Sequence, residues 1–85
     1  MNISKQEQRV LHELALGGSI HFDRSENGKV HAVTCYTRDG FVLSDCTLDV
    51  FQRLRKRRLI RSLSGKPYRA SKLGIESVRA QLNQR

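Results

Sequence analysis

The stretch Phe51-Gln52-Arg53-Leu54-Arg55-Lys56-Arg57-Arg58-Leu59-Ile60-Arg61-Ser62-Leu63-Ser64-Gly65-Lys66-Pro67-Tyr68-Arg69-Ala70-Ser71-Lys72-Leu73-Gly74 decides how this chain folds. At about 100° per residue, Val50, Phe51 and Leu54 fall within a narrow arc of a helix over about 47–57, with Asp49, Gln52, Arg53 and Lys56 opposite. Asp45 or Thr47 supplies its N-cap. Arg58 would point at the core if the helix continued, so the helix ends there or the side chain snorkels outward. Leu59 to Leu63 then reads as a strand, Ser64-Gly65-Lys66-Pro67 as a turn, and Tyr68-Arg69-Ala70 as the returning strand. Ser71 caps a last helix on which Ile75, Val78 and Leu82 make an apolar stripe, with Gly74 a weak but tolerable point in its first turn.

The same stretch holds the surplus charge. Between Val50 and Ile75 lie nine basic residues and no acidic one, whereas the rest of the chain carries seven basic and eight acidic side chains. A formal net charge of +8 is thereby gathered into one 26-residue window. Such a window describes a surface for polyanions or for an acidic protein, and the absence of acids removes the compensation of an ordinary solvated face.

Working outward toward the N-terminus, Ser4-Lys5-Gln6-Glu7 is a capping box, and Val10, Leu11, Leu14 and Ala15 recur at helical spacing up to Gly17-Gly18. This predicts a first helix over about 4–16. The period then changes to two. Asn27-Gly28 is a two-residue hairpin signal that sets Phe22 against Val33 and Ile20 against Cys35. Arg38-Asp39-Gly40 makes a three-residue loop with Gly40 left-handed, which sets Cys35 against Leu43 and Thr37 against Phe41. One face of a three-stranded meander then collects Ile20, Phe22, Val33, Cys35, Phe41 and Leu43, while His21, Asp23, Thr34 and Tyr36 occupy the other with Val42 as an exception.

At 85 residues the chain is expected to form one domain over 1–85, with a small core. No apolar run approaches the roughly 20 residues that cross a bilayer, and the polar N-terminus lacks a signal-peptide core, so a cytoplasmic protein with no membrane partner is expected. Cys35 and Cys46, with His12, His21 and His31, match no zinc spacing and read as buried thiols without a disulfide. No cofactor, metal or small-molecule substrate is expected. A small basic chain with His12, Glu13, His21, Asp23 and His31 also has the residue types of a ribonuclease. No spacing forces any two of them together, so the chain is read as a binding protein rather than an enzyme. Tyr68 is read as packing behind the hairpin, with base stacking as its alternative.

From Phe51 to Gly74, the order helix, Leu-Ile, basic hairpin with Tyr68, then Ser71-Lys72-Leu73-Gly74 opening a helix resembles the recognition helix and wing of winged helix-turn-helix domains. By that resemblance the helix near 47–57 takes the recognition position and residues 64–67 the wing tip, although the meander stands where such domains have a further helix. The whole chain more closely resembles the YjhX toxin family. Ser4-Lys5-Gln6-Glu7-Gln8, Leu11-His12-Glu13-Leu14-Ala15, Cys35-Tyr36-Thr37-Arg38-Asp39-Gly40, Asp45-Cys46-Thr47-Leu48, Leu59-Ile60 and Lys66-Pro67-Tyr68-Arg69 carry that likeness.

The expected architecture is a small α+β, winged-helix-like domain in the order helix, three-stranded meander, helix, two-stranded wing, helix. The family resemblance implies the growth-inhibiting half of a toxin–antitoxin pair, with DNA topoisomerase I as target, a cognate antitoxin as partner and no catalytic residues. A second reading is a winged-helix DNA-binding transcriptional regulator. Either way, the residues expected to carry binding are Arg53, Lys56 and Arg57 on the helix and Arg61, Lys66, Arg69 and Lys72 around the wing.

Overall fold

The structure is a computed structural model that describes the backbone of residues 3–82 and the side chains of residues 3–80. Its elements follow the expected order: α1 (Lys5–Ala15), β1 (Ser19–Arg24), β2 (Val30–Tyr36), β3 (Val42–Leu43), α2 (Leu48–Lys56), β4 (Ile60–Arg61), β5 (Arg69–Ala70) and α3 (Lys72–Leu82). The strands form a three-stranded antiparallel sheet, β1-β2-β3, and a two-stranded antiparallel ladder, β4-β5.

Local chemistry sets the ends of α1. Ser4 accepts from the Glu7 amide while the Glu7 carboxylate accepts from the Ser4 amide, which is the reciprocal capping box. At the other end the Gly18 amide donates to the Glu13 carbonyl and the Gly17 amide to Leu14, with Gly17 at φ +112°. The meander has the register expected from its turns: Ile20 opposite Cys35, Phe22 opposite Val33, Cys35 opposite Leu43.

The first hairpin reaches that register by a different route. Its loop has three residues, Glu26 to Gly28, because the Ser25 amide bonds the Lys29 carbonyl and the Gly28 amide bonds Ser25. The one-residue offset is absorbed further along, where Asp23 pairs with Ala32 but Arg24 with Val30, leaving His31 as the extra residue of a bulge. Phe41 also departs from expectation. It immediately precedes the short third strand and is 72% exposed instead of joining the core.

Thr47 is the N-cap of α2, accepting from the Val50 amide, and Val50, Phe51 and Leu54 are buried. The helix stops as expected, with Arg58 left-handed at φ +60°. The wing is shorter than its sequence suggests. Only Ile60 and Arg61 pair with Ala70 and Arg69, and the turn is centred on Ser64 and Gly65, both at positive φ, with the Lys66 amide donating to Leu63. Two positive-φ residues in succession make a type I′ turn, whose twist suits a tight hairpin.

A further pairing joins the two sheets. Tyr68 exchanges both backbone hydrogen bonds with Ile20, at 2.8 and 2.9 Å, on the edge of β1 away from β2. Its ring lies edge-on to Phe22 and to Phe51, with centroids 5.3 and 4.9 Å apart. The buried side chains form one cluster drawing on all three helices, the sheet and the wing, with Phe51, Leu11, Ile20, Leu54 and Leu59 among its largest members. Cys35 and Cys46 are both buried free thiols. Among the described residues no helix is long and apolar enough to cross a membrane.

At the start of α3, the Ser71 hydroxyl accepts from the Gly74 amide and donates to the Arg58 carbonyl, while the Ser71 amide bonds Leu59. Val78 is buried as expected; the side chain of Leu82 lies outside the described residues. Gly74 is not a tolerated weak point but a requirement. A Cβ there would lie 2.1 Å from the Leu59 carbonyl oxygen and 3.0 Å from Leu11 Cδ1. Alanine is ordinarily the better helix residue by about 1 kcal/mol. Gly74→Ala should nevertheless destabilise this chain by about 2–3 kcal/mol through the forced shift of α3. A thermal melt should show a loss on the order of 10 °C, and an unchanged or raised midpoint would mean that α3 does not seat on Leu59.

Candidate functional site

The cationic window divides in space into a helical part and a wing part, and the two have different surroundings. On α2, Arg53 reaches the Asp49 carboxylate one turn earlier at 3.1 Å and Glu7 Oε1 of α1 at 3.8 Å. Arg57, the C-cap residue, reaches Glu7 Oε2 at 3.6 Å. Glu7 is only 2% exposed, so a single buried carboxylate lies between two guanidinium groups on the neighbouring helix. Among the described residues its Oε2 has no hydrogen-bond partner, and the Arg57 guanidinium lies 3.6 Å from it. The glutamate that closes the capping box of α1 therefore also fixes α2. Arg55 is used differently, lying over the Phe51 ring at 5.7 Å from its centroid. Lys56 is exposed.

The wing carries the other group. Arg61 and Arg69 are directly opposite in the β4–β5 ladder, and with Lys66 they line a surface hollow of about 320 Å³. Among the described residues, Leu63, Pro67 and Ala70 make up the rest of its wall and no carboxylate lines it. Arg69 donates to the Gly17 carbonyl at 3.2 Å, which ties the wing to the end of α1. Among the described residues, Arg61, Lys66 and Arg69 make no ion pair, and all three are exposed. Lys72 is exposed at the first position of α3. The seven expected residues thus separate: Arg61, Lys66 and Arg69 come together, whereas Arg53 and Arg57 are partly spent on Glu7.

Sequence reasoning missed the part played by Glu7. Its position in a capping box hid it, since a residue with one sufficient role attracts no second. The signal that could have found it is the phase of α2, which puts Arg53 and Arg57 one turn apart on one side.

His12 is exposed on α1, His31 occupies the bulge of β2, and the His21 ring stands edge-on to Tyr36 at 4.9 Å. Among the described residues, no three His, Cys, Asp or Glu side chains stand together as a metal site would need. Interaction with the Cys46 side chain holds the Cys35 thiol below its ordinary pKa. The same interaction, aided by burial, pushes the Cys46 thiol up. Tyr68 is 8% exposed between Phe22 and Phe51, so its ring belongs to the core and not to a stacking surface.

The chain belongs to the YjhX toxin family, described as "putative toxin of bacterial toxin-antitoxin pair", which it matches over residues 1–85. It is 59% identical over its full length to the UPF0386 protein of Ruegeria sp. (strain TM1040), and the match covers all of that protein. The UPF0386 proteins of Parvibaculum lavamentivorans and Aliivibrio fischeri are 56% and 55% identical, again with both chains covered completely. No solved structure matches the chain. Membership of a toxin–antitoxin family implies an antitoxin as a partner.

The Glu7 contacts make opposite demands on stability and binding. Glu7→Gln keeps an oxygen for the capping box but removes the charge held between Arg53 and Arg57. Because both guanidinium groups are partly exposed, the expected loss of stability is about 1–3 kcal/mol, below that of a fully buried pair. Affinity for a polyanion should rise at the same time, so the variant should elute from heparin at higher salt than the parent. Elution at lower salt with the fold intact would contradict this account of Glu7.

Proposed function

We propose that this chain inhibits growth from the cytoplasm by stoichiometric binding, not turnover, and that its target is DNA topoisomerase I. The observation that carries this reading is the cluster of Arg61, Lys66 and Arg69, which make no ion pair among the described residues, on the wing of a member of a toxin family. In this reading Lys56 and Lys72, both exposed, add to the cationic charge, and Arg53 and Arg57 contribute what Glu7 leaves over. Guanidinium forks bind carboxylate and phosphate alike, so the surface suits an enzyme that itself handles a polyanion.

A relaxation assay on supercoiled plasmid tests the reading. Purified chain should stop topoisomerase I near equimolar ratio, and Arg61→Glu with Lys66→Glu should restore most of the activity. Unchanged relaxation at several-fold molar excess would remove this target.

A second reading, direct duplex binding by a DNA-binding regulator, is favoured by one observation: the wing follows immediately on a helix with basic residues in its last turn. If about six phosphates are neutralised, log affinity should fall with log salt at a slope of about −5. A flat salt response, or no gel shift at low salt, would exclude it.

A further inference from the structure

The hollow of the wing combines two features that do not explain each other. Arg61 and Arg69 stand directly opposite in a ladder of two residue pairs, with Lys66 beside them. Like charges in that relation oppose the pairing, and so short a ladder has little stability to spare. An incoming anion would relieve the repulsion. The rest of the hollow, however, is aliphatic: Leu63, Pro67 and Ala70. Leu63 is 59% exposed at the approach to the turn, so an aliphatic surface lies beside the cations.

That pairing of features discriminates among anions. A phosphodiester backbone would satisfy the cations and leave Leu63 uncovered. A nucleobase is ordinarily held by stacking on aromatic side chains; none lines this hollow, and Tyr68 faces into the core. An acidic peptide with an apolar residue among its carboxylates uses both parts, with forked hydrogen bonds from the arginines and burial of one aliphatic chain. A volume of about 320 Å³ is at the small end of ligand pockets and suits a side chain rather than a folded surface.

We propose that this hollow seats an acidic segment of the antitoxin, anchored by one apolar side chain. Charge complementarity selects the occupant. Its seat overlaps the cationic surface assigned to the target, so an antitoxin held there neutralises the toxin by covering it. The proposal rests on the family's toxin–antitoxin pairing and not on the identity of the target.

The first measurement is fluorescence anisotropy with a labelled peptide in which one leucine is flanked on each side by two or three acidic residues. It should bind the full chain at physiological ionic strength, and replacing its leucine by serine should weaken binding about tenfold. Arg61→Glu with Lys66→Glu should abolish binding while circular dichroism stays unchanged; Arg69 is left intact because it also holds Gly17. Equal binding to that double variant would overturn the proposal. So would tighter binding of a twelve-nucleotide oligothymidylate that displaces the peptide, which would make the hollow a nucleic-acid site. Leu63→Ser should weaken binding of the same peptide about tenfold; binding equal to that of the parent chain would overturn the proposal. A parent chain that never arrests growth counts against the proposed function alone, and the peptide measurement still decides the seat.

Discussion

The position of the wing depends on Tyr68. A ladder of two residue pairs does not hold an orientation by itself, yet the charged hairpin is fixed because the next residue, Tyr68, pairs through its backbone with Ile20. The ring then meets Phe22 of the sheet and Phe51 of α2 at nearly perpendicular interplanar angles. Edge-to-face contacts of this kind contribute about 0.5–1.5 kcal/mol each beyond the area they bury. One residue thus connects sheet, helix and hairpin, and the wing cations take their place relative to α2 from it. Arg69, beside it, completes the attachment through the Gly17 carbonyl.

The electrostatics follow from that placement. In sequence the cationic window looks uniform, but in space its helical half is compensated. Glu7 and Asp49 engage Arg53 and Arg57, and the C-terminal end of the α2 dipole favours the basic residues of its last turn. Burying the Glu7 carboxylate is tolerable only because two guanidinium groups lie against it. These charges help to hold α1 to α2. Among the described residues, Arg61, Lys66 and Arg69 of the wing make no ion pair. Of the seven residues singled out in the sequence, Arg61, Lys66 and Arg69 therefore line one hollow, while Arg53 and Arg57 lie against carboxylates.

How much of this was legible depends on how local each cause is. The capping box, the glycine stop of α1, the Thr47 cap and the two hairpin signals act over three to five residues, and all produced the expected elements. The sheet register was legible because only one register gathers Ile20, Phe22, Val33, Cys35 and Leu43 on a single face. The His31 bulge was not, since its extra residue cancels the longer loop and leaves the apolar pairs unchanged. Gly74 and Glu7 required knowledge of what lies against them. The Leu59 carbonyl is fifteen positions from Gly74, and the Arg53 and Arg57 guanidinium groups are on another helix from Glu7. Phe41 alternates correctly with the sheet, but alternation does not reveal which residues are covered, and Phe41 is exposed. At the site, charge clustering was legible, and its division into compensated and uncompensated parts was not.

The end of α2 shows where stability gives way to charge. The Leu59 amide donates to the Leu54 carbonyl and the Arg58 amide to Arg55, the same double closure that ends α1. In α1 the left-handed position of that motif is Gly17, which adopts it freely; in α2 it is Arg58. A side chain there costs on the order of 1 kcal/mol. The strain persists because the surroundings over-determine it: Leu59 is fully buried on one side, and the Ser71 hydroxyl holds the Arg58 carbonyl on the other. Glycine would be the more stable choice at position 58, and arginine adds a charge between the helix and the wing. A small domain with little stability in reserve that carries a cation where glycine fits better is organised around its surface as much as around its core.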